Sequence, residues 1–363
     1  MQTKMTLVKT EIYMLALFLL GNYSVMGISW GIGQDAWIAI ILSLSLGSSF
    51  ILMFARIISL FPGKNLYDIA EIIFGKIIGK IINAVIICYA LYLSTIVIKL
   101  ISEFIKIVNL TETPVLPIMA LIIIAAAYLA LSGINTLKKW IIFIMPIYLL
   151  VLIYVIFMSI PEMKPANILP IFEHSIIDVG EASLKILSTT FAGAILFLTF
   201  EDFIKDRENP YMIYFFGFLI ATIIIIIIFL INAMVLDIPM LEKSYFPIYM
   251  VARLIGIGDF LSRLEIIIFF NLLFACIAKI SICLLAAVKG MKKLFNNRNE
   301  KLNLLIMSIG VLVISKLGFS SIMDLLNFID FYQPYVLSFQ ILIPSMIWIG
   351  AEIKVGKRRK EKT

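Results

Sequence analysis

The sequence predicts an all-α polytopic membrane protein of ten transmembrane helices. It predicts a five-plus-five inverted repeat in which helices one and six are broken. Three observations carry this. First, 62% of the 363 residues are hydrophobic and the mean hydropathy is +1.07. A soluble domain is about 45–50% apolar, so this chain needs a bilayer as its solvent. Second, apolar runs near the length of about 20 residues that spans a bilayer recur along the chain. Third, the first and sixth of these runs are interrupted at matching places in the two halves. Non-helical backbone survives in lipid only where it lines a cavity. A matched pair of breaks is therefore the mark of a central small-solute site.

The expected spans are 10–30, 36–60, 77–108, 115–132 and 139–160 in one half. In the other half they are 182–204, 211–236, 262–289, 302–319 and 333–353. The whole chain, 1–363, is read as one transmembrane domain, with repeats at 10–160 and 182–353 and a basic tail at 354–363. An odd helix count per repeat forces the two halves into opposite topology. The first span runs from Glu11 to Trp30 and is interrupted by Gly21-Asn22-Tyr23-Ser24 and by Gly27. Glycine permits backbone angles that other residues resist. An unwound turn here would aim N–H donors at a carboxylate. The competing reading is close helix packing through small residues.

The third span exceeds what a bilayer requires, so it tilts or protrudes. It carries Tyr89 and Tyr92, three apart and on one helix face. Pro146 and Pro344 predict kinks in the fifth and tenth spans. The sixth runs from Ala182 to Phe203 and is interrupted at Thr189-Thr190 and Ala192-Gly193-Ala194. Glu201 and Asp202 then read as a solvated turn paired with the run Lys205-Asp206-Arg207-Glu208. Arg263 and Glu265 open the eighth span as a structural or gating pair. Within it, Lys279 lies more than a turn from either end. A charge at that depth is costly and by default marks function. It is read as an anion contact, a stand-in for a coupling cation, or a structural partner.

Charge sets the orientation. With the N-terminus in the cytoplasm, most of the 30 Lys and Arg residues fall inside, among them Arg56, Lys76, Lys138, Lys292 and the tail 354–363. Both termini are then cytoplasmic. The net charge of +7 follows from topology, and the tail reads as an inner-leaflet anchor with no nucleic-acid role. The tryptophans form an aromatic belt. No cleavable signal peptide is expected, because the first apolar run is too long for one. Cys88, Cys276 and Cys283 sit in apolar runs without disulfide or metal spacing, and His174 falls in a loop. No phosphate loop, metal cluster or nucleophile with a base is visible. The chain is expected to be no enzyme and to need no cofactor.

A set of short motifs adds a resemblance. Asp35-Ala36-Trp37 is followed by Phe61-Pro62-Gly63, Phe74-Gly75-Lys76-Ile77-Ile78-Gly79 and Thr113-Pro114. Then come Ile168-Leu169-Pro170-Ile171, Ser262-Arg263-Leu264-Glu265 and Gly290-Met291-Lys292-Lys293. In order and spacing, over about 10–353, these are similar to the B subunit of bacterial spore germinant receptors. That family is related to the amino acid, polyamine and organocation transporters, with their LeuT-like fold. The resemblance implies a nutrient sensor in the spore inner membrane, working with an A-type membrane subunit and a C-type lipoprotein. It implies an amino acid or similar nutrient as ligand, held near Gly21, Asn22, Tyr23 and Ser24 in helix one. The pocket would also take in Tyr89, then Thr190, Ala192 and Gly193 in helix six, and Ala278 or Lys279 in helix eight. Two positions depart from the family pattern. Ile195 stands where an acidic residue is frequent, and Lys279 where a small or hydroxylated one is frequent. A cation-coupled permease is the alternative reading, and an apolar scaffold without a pocket the third.

Overall fold

The structure, a computed structural model, describes residues 2–26, 31–200, 204, 209–255, 264–296 and 299–360. The helices are α1 (Gln2–Met26), α2 (Ala36–Leu60), α3 (Leu66–Val108), α4 (Val115–Leu131), α5 (Gly133–Ser159) and α6 (Ile176–Ile186). They continue as α7 (Pro210–Leu236), α8 (Ile238–Lys243), α9 (Pro247–Ile255), α10 (Leu264–Phe295), α11 (Glu300–Gly318) and α12 (Ile322–Lys360). Among the described residues, eight helical stretches are long and apolar enough to cross a bilayer, and Val115–Leu131 is apolar but shorter.

The buried centre is built around α1. Met14 through Leu20 have no exposed surface at all. A helix apolar on every side must be enclosed on every side, and α1 packs against α3, α5, α7 and α10. The outward faces of α4, α5, α11 and α12 carry exposed Leu121, Phe143, Leu317 and Leu342. Lipid, as apolar as these side chains, is the solvent that suits them.

Several helices run past the expected spans because their charged ends are paired. Gly75 (φ 79°, ψ 176°) separates the span of α3 from a polar arm at Leu66–Phe74. The arm's Asp68 and Glu71 lie 2.6 and 3.4 Å from Lys293 of α10, which extends that helix beyond 289. Arg56 of α2 meets Glu352 of α12 at 2.5 Å, and Lys354 donates to the carbonyl of Ile72. The tail expected at 354–363 is therefore, through Lys360, a continuation of α12. Pro146 lies within α5, and Pro344, with Pro334, within α12. The connection read as loop between the seventh and eighth spans folds into α8 and α9. Asp237 starts α8 by accepting from the Met240 N–H at 2.9 Å.

Two anchors hold α1 and the approach to helix six. Glu11 of α1 is fully buried and meets Lys138 of α5 at 2.7 Å. The expected solvated His174 instead belongs to a clamp on Asp35, which has no exposed surface. The Asp35 carboxylate accepts from the N–H groups of Phe172, Glu173 and His174 at 2.7–2.9 Å, and lies 3.1 Å from His174 Nδ1. Gln34 adds a bond of 2.9 Å to the Pro170 carbonyl.

Two outcomes are expected. Lys138→Met strands a buried carboxylate and lowers stability in detergent by roughly 3–5 kcal/mol, while adding Glu11→Met recovers most of the loss. Thermal unfolding of the parent and the two variants checks the loss and the recovery. Asp35→Ala leaves three loop N–H groups without their acceptor and costs about 3 kcal/mol. Limited proteolysis should then cut near Phe172 in the variant and spare the parent.

Candidate functional site

Helix six starts regularly and then changes form. Ser175 and Asp178 close a capping box at its start. After α6 the chain becomes a π-helix over Leu187–Phe191 and a 3₁₀-helix over Ala192–Thr199. The break expected at Thr189-Thr190 and Ala192–Ala194 is thus present. In an α-helix the Ala192 N–H would bond to Ser188. Here it bonds to the Leu187 carbonyl, one residue further back. The carbonyl of Ser188 is released from the helix, in a region too dry to leave it open.

Two glutamines of α12 meet this need. Gln340 Nε2 donates to the Ser188 carbonyl at 3.0 Å and to the Tyr89 hydroxyl at 2.8 Å. Gln333 Nε2 donates to the carbonyl of Lys185, which also accepts from Thr189 Oγ1 at 2.9 Å. Residues seven apart share a helix face, so α12 presents both side chains to the break.

Beside the break lies a cavity of about 30 Å³, between α1, α3, helix six and α12. Asn22, Tyr23, Tyr92, Thr190, Gln333 and Gln340 supply its polar lining, and Leu93, Ile96 and Val336 part of its apolar lining. Such a volume holds about two waters. Around it Asn22 Oδ1, Thr190 Oγ1, Gln333 Oε1 and Gln340 Oε1 are buried without a hydrogen-bond partner. Buried polar groups are nearly always paired, so four such atoms among the residues of one lining call for an explanation. A vestibule of about 710 Å³ adjoins the cavity and shares Met26 and Ile329 with it. It is lined by Lys185 and Asp330, paired at 2.6 Å, and by Glu242 and Lys243.

The residues expected at the site separate into two groups. Asn22, Tyr23 and Thr190 come together on the cavity, and Tyr89 stands beside it through Gln340. The others pack next to it. Gly21 lies against α10, where an added Cβ would sit 3.0 Å from Lys279 Cβ. Ser24 is bonded to the Tyr148 hydroxyl at 2.5 Å. Gly193 faces Phe18 and Leu93, Ala192 is buried beside it, and Ala278 is enclosed in α10. Lys279 does not reach the cavity. It is 1% exposed, with Nζ 4.7 Å from the Phe18 ring centroid. Among the described residues no carboxylate lies within ion-pair distance of it.

The expected unwinding of helix one at Gly21–Ser24 is corrected. Residues 2–26 are α-helical throughout, and Gly27 to Trp30 lie outside the described residues. Gly21 serves close packing instead, under the aliphatic stem of Lys279 and with its carbonyl 3.0 Å from Cys276 Sγ. Glu201, Asp202 and Lys205–Glu208 also lie outside the described residues, as does Arg263. Glu265 accepts from the Tyr249 hydroxyl at 2.6 Å. Cys276 and Cys283 are buried, while Cys88 is exposed.

With this geometry in hand, the chain can be compared with known proteins. Residues 6–322 match the family described as "Spore germination protein". The chain belongs to this family. It is 24% identical to spore germination protein KB of Bacillus subtilis (strain 168) over 96% of this chain and 95% of that one. It is 28% identical to the putative spore germination protein YfkT of the same organism, over 65% and 64% of the two. Among solved structures it is similar to MhsT in complex with L-phenylalanine, with a TM-score of 0.71 at 15% identity over 93% of this chain and 87% of that one. It is also similar to Mhp1, a nucleobase-cation-symport-1 family transporter, with a TM-score of 0.65 at 15% identity over 94% and 76%. The fold of this family member is therefore the LeuT-like fold of these transporters.

The sequence reading missed Gln333 and Gln340. Their signal is two amides seven residues apart in an apolar span, which places both on one face. Gln340→Leu keeps the volume and removes the donor to Ser188. It should destabilise the protein by about 1–3 kcal/mol, as an orphaned buried carbonyl does. The melting temperature of the purified variant in detergent checks this.

Proposed function

We propose that this chain is the nutrient-sensing subunit of a spore germinant receptor. An amino acid or similar small nutrient binds in the cavity beside the helix-six break and triggers germination. The A-type membrane subunit and the C-type lipoprotein of the receptor are its partners, in the spore inner membrane. Both termini face the cytoplasm, so the vestibule opens outward and admits the ligand past Met26 and Ile329.

One observation carries this reading. Asn22, Thr190, Gln333 and Gln340 line one cavity of about 30 Å³, and each keeps a buried polar atom without a hydrogen-bond partner. The cavity is smaller than any amino acid, so binding expands it and moves the helices that line it. A ligand that fits only the expanded state draws the chain into that state, and the shift equals its preference for it. Partner subunits then read the movement. The permease reading is favoured by a different observation, the transporter fold with a vestibule leading to its centre. It predicts substrate accumulation in proteoliposomes by this chain alone.

The test is germination of spores lacking this chain across a panel of amino acids, sugars and salts. Loss of one class of response, with the others intact, is expected. Val336→Phe, which fills the cavity, should abolish the same response at normal protein levels. An unchanged response in both strains sinks the proposal.

A further inference from the structure

We infer that a second cavity, separate from the first, is a binding site for the end of a lipid acyl chain. It is a different site from the nutrient cavity and stands apart from the receptor reading.

This second cavity has a volume of about 30 Å³ and lies between α3, helix six and α12. Phe339 of α12 stands at its mouth, 56% exposed, with Val85 and Ile343 half-buried beside it. Ile86 of α3 and Ile195 of helix six form its floor, 2% and 5% exposed. The lining thus leads from the outer surface of the protein into its buried interior. Apart from Tyr89 and Gln340, it consists of hydrocarbon side chains.

Charge fixes the depth of the mouth. Between Lys80 and Lys99, α3 carries no charged residue, and between Asp330 and Glu352, α12 carries none. Tyr89 lies at the middle of the first stretch, and Phe339–Ile343 at the middle of the second. Charged side chains are costly deep in a bilayer, so the middle of each stretch lies far from both membrane faces. One turn from Val85, Ile81 is exposed on α3, and Leu342 is exposed on α12. The mouth therefore opens into the hydrocarbon layer, where the medium is acyl chain.

The chemistry of the void selects the same guest. An apolar cavity stays dry and takes apolar guests. Its walls lack partner atoms across the gap, so a guest restores dispersion contacts that the empty state forfeits. A lipid chain gains no hydrophobic free energy on entering, because it leaves a medium as apolar as the lining. The binding is accordingly weak, and the high concentration of chains at the mouth sustains it. Space for about two waters takes about two methylene-sized groups, so the guest is a chain end and not a whole lipid. Gln340 lines both cavities. It donates to the Ser188 carbonyl and to the Tyr89 hydroxyl. The chain end thus packs against the side chains that repair the helix-six break.

The experiment places the full chain in nanodiscs containing a phosphatidylcholine with a photoreactive diazirine near the end of one acyl chain. After illumination, adducts are mapped by mass spectrometry. They are expected on the exposed Ile81 and Leu342, which any surrounding lipid touches. They are also expected on Ile86 or Ile195, which only a chain inside the cavity can reach. Ile343→Phe fills the cavity from α12, and Val85→Phe fills it from α3. In both variants labelling of the floor should fall about tenfold, because a guest must displace the new ring. Unchanged labelling of Ile81 and Leu342 reports that the fold is intact. Adducts confined to the exposed positions overturn the inference, and so does floor labelling that survives both substitutions. Floor labelling that disappears when the chain is reconstituted with its partner proteins assigns the mouth to a partner's helix, which also overturns it. None of these readouts is germination, so their failure leaves the receptor reading untouched.

Discussion

The Ser188 carbonyl, which loses its α-helical donor where helix six leaves the α-form, is the constraint around which the centre of this protein is organised. The break lies in the buried interior, and a bare C=O there costs as much as a lost hydrogen bond. Gln340 satisfies Ser188, and Gln333 adds a second donor to the Lys185 carbonyl, which also accepts from Thr189. These bonds tie α12 to the break across the cavity. They also hold Tyr89 of α3 in the same network through its hydroxyl. Three elements that meet nowhere in sequence are thereby fixed around one small space. A local irregularity of the backbone becomes a site because its repair is made by side chains with a second polar end.

Charge is kept away from that space and used at its margins. The buried pair of Glu11 with Lys138 links α1 to α5. A second pair, Lys99 with Glu103 at 2.7 Å, lies within α3. Lys279 is buried off the lining, with its stem against Gly21 and its ammonium facing Phe18. The cavity lining is thus polar but uncharged among the described residues.

Much of the fold was legible, because hydrophobic runs of bilayer length leave few alternatives. The span at 36–60 coincides with α2, and that at 211–236 differs from α7 by one residue. The helix-six break was legible from its threonines and small residues. Gly21–Ser24 misled for a physical reason. Small residues serve both unwinding and close packing, and only the neighbour decides between them. Here the neighbour is α10, which the sequence does not place. Gln333 and Gln340 went unread because a lone amide in an apolar run carries no signal until its partner is known. Asp35 stood out only as part of a motif. Its role needs the loop 172–174, more than 130 positions away, to be folded over it.

The Asp35 clamp has a mechanical consequence. Three backbone bonds and an imidazole contact on one buried carboxylate make the loop before helix six and the start of α2 a single stiff body. Helix six cannot shift relative to the start of α2 without breaking these bonds. The other end of α2 is held separately, where Arg56 pairs with Glu352 of α12. The clamp thus joins the segment leading into helix six to one end of a 25-residue helix whose far end is paired with α12.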